Sequence, residues 1–278
     1  MKISVIIPTY NRINLIENAI NSVLKQSKKP HDIIVVDDGS DDGTSEMIQK
    51  KYSSIKLVRQ KNSGVSTARN NGIKHAKGDW IALLDSDDEW KEKKLEYQAE
   101  KLIKNPEHHF CHTNEIWIRN GVRVNQKKRH QKYGGHIFDK CLDICRISPS
   151  SSLFRKNILN DIGWFDSQLP VCEDYDLWLR ITANYKILFI DEPLIIKYGG
   201  HSDQLSHSVE GIELFRIKSL EKLLTSTELS RKNRSLAIKM INKKLNIYLQ
   251  GLIKRRKNVE AEQVKEKIKF WKKNLIEY

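Results

Sequence analysis

Short apolar runs alternate with segments of helical spacing over the first 110 residues of the chain. Each run is rich in β-branched residues and ends in polar turn residues, a pattern typical of a buried strand. The intervening segments carry apolar residues three or four positions apart, as amphipathic helices do. This alternation predicts an α/β fold with a Rossmann-like, mainly parallel central sheet and helices on both faces. The predicted strands cover 3–7, 31–36, 55–59 and 79–84, and the predicted helices cover 14–26, 44–52, 66–76 and 91–103.

The pattern changes after residue 110. It predicts strands at 110–119 and 187–190, a helix at 172–182, a loop or flap over 121–135, and a loop entering a strand over 148–155. From Gly211 onward the pattern is helical, and two apolar stripes flank the basic run 254–258, which predicts a helical hairpin. The stripes consist of Ile241, Leu245, Tyr248 and Leu252, and of Val264, Ile268, Trp271 and Leu275. We therefore expect an α/β domain over 1–205 and a C-terminal helical extension over 206–278.

The composition is that of a chain that folds around a core. Of the 278 residues, 39% are hydrophobic and 30% are charged, which is too apolar for a disordered chain. No apolar run approaches the ~18–20 residues that span a bilayer, and the N-terminus lacks the features of a signal peptide. The four cysteines form no CxxC pair, so reduced thiols are expected. These features predict a cytoplasmic protein.

Positive charge is concentrated in the predicted extension. The net charge is +14, and Lys and Arg outnumber Asp and Glu by 18 to 7 over residues 211–278. One interpretation is binding to an anionic membrane surface, which would place the protein at the inner face of the plasma membrane. The alternatives are a solvated face on a packed helical pair and a contact in a homodimer. Nucleic-acid binding is disfavoured, because few aromatic residues are interleaved with the basic ones.

Three predicted strands of the α/β region end in unusually polar segments, at 8–12, 37–40 and 85–88. The carboxyl ends of the strands form the ligand-binding edge of such sheets. Carboxylates gathered there repel one another unless a cation or a donor-rich ligand lies among them. The alternative is that they cap the helices that follow. Asp85 and Asp87 offer the oxygen ligands that suit Mg²⁺ or Mn²⁺ together with a phosphate-bearing substrate.

A second acidic pair, Glu173 and Asp174, opens the predicted helix at 172–182. The pair either caps that helix or supplies a general base for an acceptor hydroxyl. His201 follows a predicted strand and two glycines. A lone histidine is more often structural or exposed, but here it can also complete a metal or diphosphate site. The chain has neither a phosphate loop nor a dinucleotide glycine motif, which disfavours ATPase-like and dehydrogenase-like functions.

Six segments, in their order and spacing, resemble family-2 glycosyltransferases of the GT-A fold. They include VIIPTYNR, IVVDDGS, LLDSDD and EDYDLWLR, and they cover 5–12, 34–44, 64–72, 81–88, 162–166 and 173–180. Enzymes of this kind are inverting, depend on a divalent metal and take a sugar from a nucleotide-diphosphate donor. The resemblance extends over about residues 1–205 and fades in the basic extension.

The resemblance implies a donor site at the polar strand ends. The residues implied to bind the nucleotide sugar are Pro8, Thr9, Tyr10, Arg12, Asp38, Arg69, Asp85 and Ser86. Asp38 would accept a hydrogen bond from the base, and Arg69 would contact the base or the diphosphate. The residues implied to bind Mn²⁺ or Mg²⁺ are Asp87, Asp85 and His201.

The resemblance also implies the catalytic group. Asp174 corresponds to the catalytic base, and Glu173 is the alternative. Gly199 and Gly200 stand where family members often have arginine, so the loop of His201 departs from the family pattern.

These observations predict an inverting glycosyltransferase. Its donor would be a nucleotide-diphosphate sugar, with UDP favoured, and its acceptor a hydroxyl of a glycan or of a lipid-linked sugar. Surface polysaccharide, lipopolysaccharide or capsule synthesis would be its setting, and the 120–150 segment would hold acceptor specificity. Two alternatives stay open: an inactive nucleotide-sugar-binding or scaffold protein of the same fold, and a metal-dependent nucleotidyltransferase.

Overall fold

The computed structural model describes residues 1–200 and 211–276 of the chain. The β-strands are β1 (Ile3–Thr9), β2 (Asp32–Asp37), β3 (Lys56–Arg59), β4 (Trp80–Leu83), β5 (Glu89–Trp90), β6 (Phe110–Arg119), β7 (Val122–Val124), β8 (Leu153–Arg155) and β9 (Leu188–Gly199). The α-helices are α1 (Ile16–Leu24), α2 (Thr44–Lys51), α3 (Val65–His75), α4 (Lys94–Lys104), α5 (Phe138–Cys141), α6 (Ile158–Ile162), α7 (Glu173–Asn184), α8 (Ile212–Ser226), α9 (Arg231–Lys254) and α10 (Asn258–Ile276).

A single mixed sheet runs through the molecule in the order β3-β2-β1-β4-β8-β6-β9-β5, with β7 paired to β6. The first four strands in this order are parallel, because α1, α2 and α3 each return the chain to the same end of the sheet. This part confirms the predicted α/β alternation. Beyond β4 the sheet is mixed, since β8 is antiparallel to both of its neighbours.

Two segments differ from their predicted form. Strand β9 continues well past the predicted end at residue 190. The polar residues that follow interrupt the apolar run, but they form a bulge of extra residues in β9 opposite Asn114 of β6, beyond which the pairing resumes. The predicted flap at 121–135 contains β7 and a short 3₁₀ turn at Lys128–His130. The predicted strand at 110–119 is confirmed.

Both faces of the sheet are covered by helices, as predicted. Side chains alternate between the faces along β1, so that Ile6 lies on one side while Val5 and Ile7 lie on the other. The first face packs against α3, α7 and the C-terminal helices. The second face packs against α1, α2 and α4.

The C-terminal helices α9 and α10 form the predicted hairpin and pack against each other. Its two apolar stripes lie against the first face of the core, with Ile241, Leu252 and Trp271 buried. The expected domain boundary near residue 205 lies outside the described residues and stays a prediction. Within residues 1–200 and 211–276, no helix is long and apolar enough to cross a bilayer.

Candidate active site

A cavity of about 830 Å³ opens where β1, β2 and β4 end. Its volume falls in the range of ~300–1,000 Å³ that is usual for small-molecule sites. Loops after the strands form one part of its wall, and α3, α7, β9 and α8 form the rest. The structure brings together in this wall every predicted site residue that it describes: Pro8, Thr9, Tyr10, Arg12, Asp38, Arg69, Asp85, Ser86, Asp87, Glu173 and Asp174. His201 lies outside the described residues.

The segment after β1 forms a fixed loop at the cavity. The backbone N–H of Asn11 donates to the hydroxyl of Ser40 at 2.8 Å, and that of Arg12 donates to Thr44 Oγ1 at 3.2 Å. Tyr10 is left 47% exposed at the cavity wall. The buried hydroxyl of Thr9 has no hydrogen-bond partner in the described part of the chain. A ligand that donates or accepts a hydrogen bond there would satisfy this hydroxyl.

Asp38 has a structural task of its own. Its carboxylate accepts hydrogen bonds from the side chain of Gln60 and from the backbone N–H groups of Ser63 and Gly64, each at 2.8 Å. These bonds fix the loop that leads into α3. A carboxylate offers about four acceptor positions, so one further bond can form. The predicted bond from Asp38 to a nucleobase therefore stays a prediction.

Arg69 links two acidic segments of the site that are far apart in sequence. It is buried, and its guanidinium donates to Asp85 at 2.7 Å and to Glu173 at 2.6 Å. Burial disfavours its charge, yet the two carboxylates raise the pKa of Arg69. Burial also raises the pKa of Glu173 to about 7, against the opposing charge of Arg69. Arg69 is thus a fixed cation between the end of β4 and the start of α7.

Helix α3 reaches this position because it packs unusually close to β1. A Cβ atom on Gly72 would lie only 2.4 Å from Ile6 Cγ2 and 3.0 Å from Val36 Cγ2. Any larger residue would push the helix away from the sheet. Gly72, one turn after Arg69, therefore sets the depth at which the guanidinium enters the site.

The carboxylates of segment 85–88, which follows β4, have different roles. Asp88 is fully buried, and its carboxylate accepts from the hydroxyl of Ser150 at 2.6 Å and from the backbone N–H of Tyr198 at 3.2 Å. It therefore holds loops together. Asp87 lines the cavity, and burial together with the charge of Asp85 raises its pKa. A cation beside Asp87 would relieve both effects.

The helix-capping alternative fails for segment 85–88. The segment 85–88 leads into the short strand β5, and α4 begins only at residue 94. Its carboxylates therefore do not cap a helix. In contrast, Asp42 accepts a hydrogen bond from the backbone N–H of Thr44 at 3.0 Å, at the first residue of α2.

The oxygen donors in the cavity determine whether it can hold a divalent metal ion. Among residues 1–200 and 211–276, no three His, Cys, Asp or Glu side chains converge as a complete metal site. Mg²⁺ and Mn²⁺ need less from the protein, because they commonly bind one or two carboxylates plus substrate phosphates. Asp87 and the oxygen of Asp85 that does not pair with Arg69 meet this requirement. The residues fit such an ion when a diphosphate supplies the other ligands.

Asp174 lies at the start of α7, beside Glu173 but in a different environment. It is half-buried and lines the cavity, whereas Glu173 is buried against Arg69. The thiol of Cys145 donates to Asp174 Oδ2 at 3.3 Å. Cys172, which precedes the helix, has a left-handed backbone with φ of 64°. The N-terminus of a helix favours negative charge, so this position suits an ionised base.

Sequence reasoning missed three residues of the site. Ser150 donates to Asp88 and also accepts from the backbone N–H of Asp85 at 3.1 Å. The cluster of serines before β8 was its only signal. Lys197 follows the apolar residues 194–196 near the end of β9. Burial opposes its charge, but Asp88 and other carboxylates raise its pKa. Arg216 of α8 lines the cavity, and no local pattern marked it.

Comparison with solved structures identifies the fold. The structure of the 1–349 segment of S. aureus TarS in complex with UDP-GlcNAc matches with a TM-score of 0.70. The match covers 88% of this chain and 73% of that chain, at 23% identity. This likeness shows the GT-A fold.

The chain belongs to glycosyltransferase family 2, because the model described as Glycosyl transferase family 2 matches residues 4–163. An uncharacterised glycosyltransferase of Rickettsia conorii is 38% identical over 200 residues, which are 69% of this chain and 32% of that protein. The chain thus spans about a third of the length of that relative. WfgD of Escherichia coli is 35% identical over 191 residues, covering 68% of this chain and 73% of WfgD. Its full name is UDP-Glc:alpha-D-GlcNAc-diphosphoundecaprenol beta-1,3-glucosyltransferase.

Proposed function

We propose that this chain is an inverting glycosyltransferase that moves a sugar from a nucleotide-diphosphate donor to an acceptor hydroxyl. One observation carries the proposal: Arg69 joins Asp85 to Glu173 inside a cavity that Asp87 and Asp174 also line. A diphosphate bound between Arg69 and the acidic segment would present its sugar to the start of α7. The family and its named relatives support this reaction class.

The proposed reaction is a single displacement. Asp174 takes the proton from the acceptor hydroxyl as that oxygen forms a bond to the anomeric carbon. The bond from the anomeric carbon to the diphosphate oxygen breaks, and its electron pair leaves with the nucleoside diphosphate. Arg69, already fixed in place, stabilises the charge that develops on this leaving group. Mn²⁺ or Mg²⁺, when held by Asp87 and Asp85, supplies further positive charge to the diphosphate.

Asp174 is the better candidate for the base than Glu173. A base must reach the acceptor, and Asp174 lines the cavity with a half-buried carboxylate. Glu173 is committed to the ion pair with Arg69 and is buried. We assign Glu173 to positioning Arg69.

UDP is the favoured nucleotide of the donor, and a glycan or lipid-linked sugar is the favoured acceptor. WfgD is named for a UDP-glucose donor and a diphosphoundecaprenol-linked acceptor. TarS is described in complex with UDP-GlcNAc. These names support a UDP-sugar donor and a role in cell-surface glycan synthesis for this chain.

The two alternatives have less support. An inactive scaffold has no need for Asp85, Asp87 and Asp174 in one cavity. A nucleotidyltransferase would release pyrophosphate rather than a nucleoside diphosphate, and its expected glycine- and lysine-rich loop is absent from the sequence.

Thermal shift with UDP, GDP, dTDP and CMP, each with Mn²⁺ or with EDTA, tests the donor site. A ligand at 100 times its Kd adds about 2.7 kcal/mol to the free energy of unfolding, a shift of several degrees. We expect a metal-dependent shift with UDP that Asp87→Asn abolishes. Asp79→Asn is the matched control, because Asp79 is exposed and does not line the cavity.

Turnover is then measured as UDP release and sugar transfer from UDP-glucose or UDP-GlcNAc to a panel of acceptors. Sugar transfer without pyrophosphate release supports the proposal. Pyrophosphate release would favour a nucleotidyltransferase. No shift with any nucleotide would refute the donor site and favour a scaffold.

We also propose that the tip of the C-terminal hairpin rests on an anionic membrane. The basic run 254–257 is exposed there, and it lies between Ile253 and Val259, which are 55% and 71% exposed. Basic residues at an anionic surface contribute about 1 kcal/mol each. Exposed apolar side chains beside them can enter the headgroup region. This arrangement suits an acceptor held in a membrane, at the inner face of the plasma membrane.

A further inference from the structure

The C-terminal extension contributes directly to the wall of the cavity. Ile212 and Arg216, both on α8, line it together with the residues of the donor site. The family model ends at residue 163, so α8 lies outside the segment that defines the family. A cavity residue in this position is a candidate for recognising what is particular to this chain.

Arg216 lies on the side of the cavity where Asp174 lies. The thiol of Cys172 contacts the backbone carbonyl of Ile212 at 3.9 Å, and Cys172 directly precedes the acidic pair of α7. Arg216 follows Ile212 by one helical turn and acts electrostatically on Cys172. It therefore faces the acceptor side of the site under the proposed function.

The charges around Arg216 do not cancel. Its Nη1 donates to Glu213, but the other oxygen of Glu213 accepts from Lys244 at 2.9 Å. Two cations thus share the carboxylate of Glu213, which neutralises only one of them. Lys244 is buried and also donates to the backbone carbonyl of Asp143 at 2.7 Å. Its position is therefore fixed without Arg216.

The guanidinium of Arg216 is also incompletely hydrogen-bonded. Its Nε is buried and has no partner among residues 1–200 and 211–276, where no bond of Nη2 is recorded either. A guanidinium typically binds a phosphate or carboxylate through two parallel N–H bonds. Burying a cation with unused donors is costly unless an anion completes the arrangement.

We propose that Arg216 binds a phosphate group of the acceptor, so that the acceptor is a phosphate-bearing sugar. This inference rests on the proposed function, since it takes the side of Asp174 as the acceptor side. The donor diphosphate is accounted for by Arg69 and the acidic segment after β4, which leaves the unused N–H groups of Arg216 for a second phosphate. A sugar 1-phosphate and a lipid-linked sugar diphosphate share the chemistry that it would recognise.

The test uses the full chain loaded with UDP and Mg²⁺, so that the donor site is filled. Ligand-observed NMR measures the Kd of glucose 1-phosphate, methyl glucoside and glucuronate. We expect glucose 1-phosphate to bind about tenfold more tightly than methyl glucoside, as one charge-assisted contact permits. We expect Arg216→Gln to remove this preference and Arg216→Lys to retain part of it.

Lys218→Gln is the matched control, because it removes the same charge from an exposed position on the same helix. It should leave the preference unchanged. The affinity for UDP should be unchanged in every variant, and the melting temperatures show whether each one folds. A merely structural Arg216 would alter stability without altering the ratio of the two Kd values.

Three results would overturn the proposal. The first is a phosphate preference that survives Arg216→Gln. The second is glucuronate binding as tightly as glucose 1-phosphate, which would indicate general anion binding. The third is competition between glucose 1-phosphate and UDP, which would place the phosphate in the donor site. A failure of UDP to bind the native chain refutes the donor site of the proposed function, and it is seen before any acceptor probe is added.

Discussion

Lys94 provides a quantitative test of the core on the second face of the sheet. Its side chain is fully buried, its ammonium lies 3.8 Å from the centroid of the Trp90 ring, and its Nζ has no hydrogen-bond partner in the described ranges. Burial lowers the pKa of Lys94 from 10.5 to about 7. Each pKa unit corresponds to about 1.4 kcal/mol, so burying this amine destabilises the fold by about 4 kcal/mol at neutral pH.

The sign of the pH dependence follows from the direction of this shift. Between pH 7 and pH 10.5 the unfolded chain holds a proton on Lys94 that the folded chain does not. Stability therefore rises with pH across this window. Lys94→Met removes the amine and keeps much of its volume. We expect this variant to be more stable by about 4 kcal/mol at pH 7.5 and by only about 1 kcal/mol at pH 9.5.

Urea unfolding of both proteins at pH 7.5, 8.5 and 9.5 measures these differences. Titrations that both chains share cancel in the comparison. Lys101→Met is the control, because Lys101 is exposed on the same helix. A difference between native chain and Lys94→Met that is constant over pH would show that Lys94 is not a buried neutral amine, and the reasoning from its burial would be wrong.

Three other perturbations test the packing, the chemistry and the surface of the molecule. Gly72→Ala should lower the free energy of unfolding by about 1–3 kcal/mol in urea titrations, because its Cβ would collide with Ile6. Asp174→Asn should lower kcat about 10²–10⁴-fold and leave the Kd for UDP unchanged, because it removes only the base. The double change Ile253→Ser and Val259→Ser should weaken co-sedimentation with phosphatidylglycerol vesicles, because both side chains are exposed at the hairpin tip.

Each of these three predictions has a control and a result that would contradict it. Lys74→Ala, on the exposed side of α3, should leave stability nearly unchanged, and an equal loss in both variants would count against the close packing of Gly72. Full kcat in Asp174→Asn would transfer the role of base to Glu173. Vesicles of phosphatidylcholine, which carry no net charge, are the control for electrostatic binding of the hairpin tip. Equal binding to both lipids would show that the interaction does not depend on anionic charge, and binding to neither would leave the hairpin as a solvated face or a dimer contact.

The sequence predicted the N-terminal half of the fold well, because its structure is encoded locally. The strands around Ile6, Ile34 and Ile81 are apolar, end in polar turns and alternate with helical spacing. Parallel pairing then follows from the connecting helices, and the polar ends must meet at one edge. This argument places Asp38, Asp85 and Asp87 at that edge, and all three line the cavity.

The C-terminal half of the fold was harder to predict from the sequence, because its strands and site residues contact segments that are distant in sequence. The position of β8 between β4 and β6 has no local signal, and it brings Ser150 to Asp88. Lys197 and Arg216 reach the cavity from β9 and α8, and no local sequence signal predicted that either would lie there. The pairing of Arg69 with Glu173 likewise joins two segments whose patterns are unrelated.

The shared core on the first face of the sheet has a consequence for synthesis of the protein. That cluster includes Ile6 of β1 and Trp271 of α10. A ribosome adds about 5–20 residues per second, so roughly 13–50 s separate the synthesis of these two residues. During that time the nascent chain displays apolar surface that its last helices have not yet covered. We expect chaperones that bind nascent chains to engage this face, and to release it once α10 has emerged.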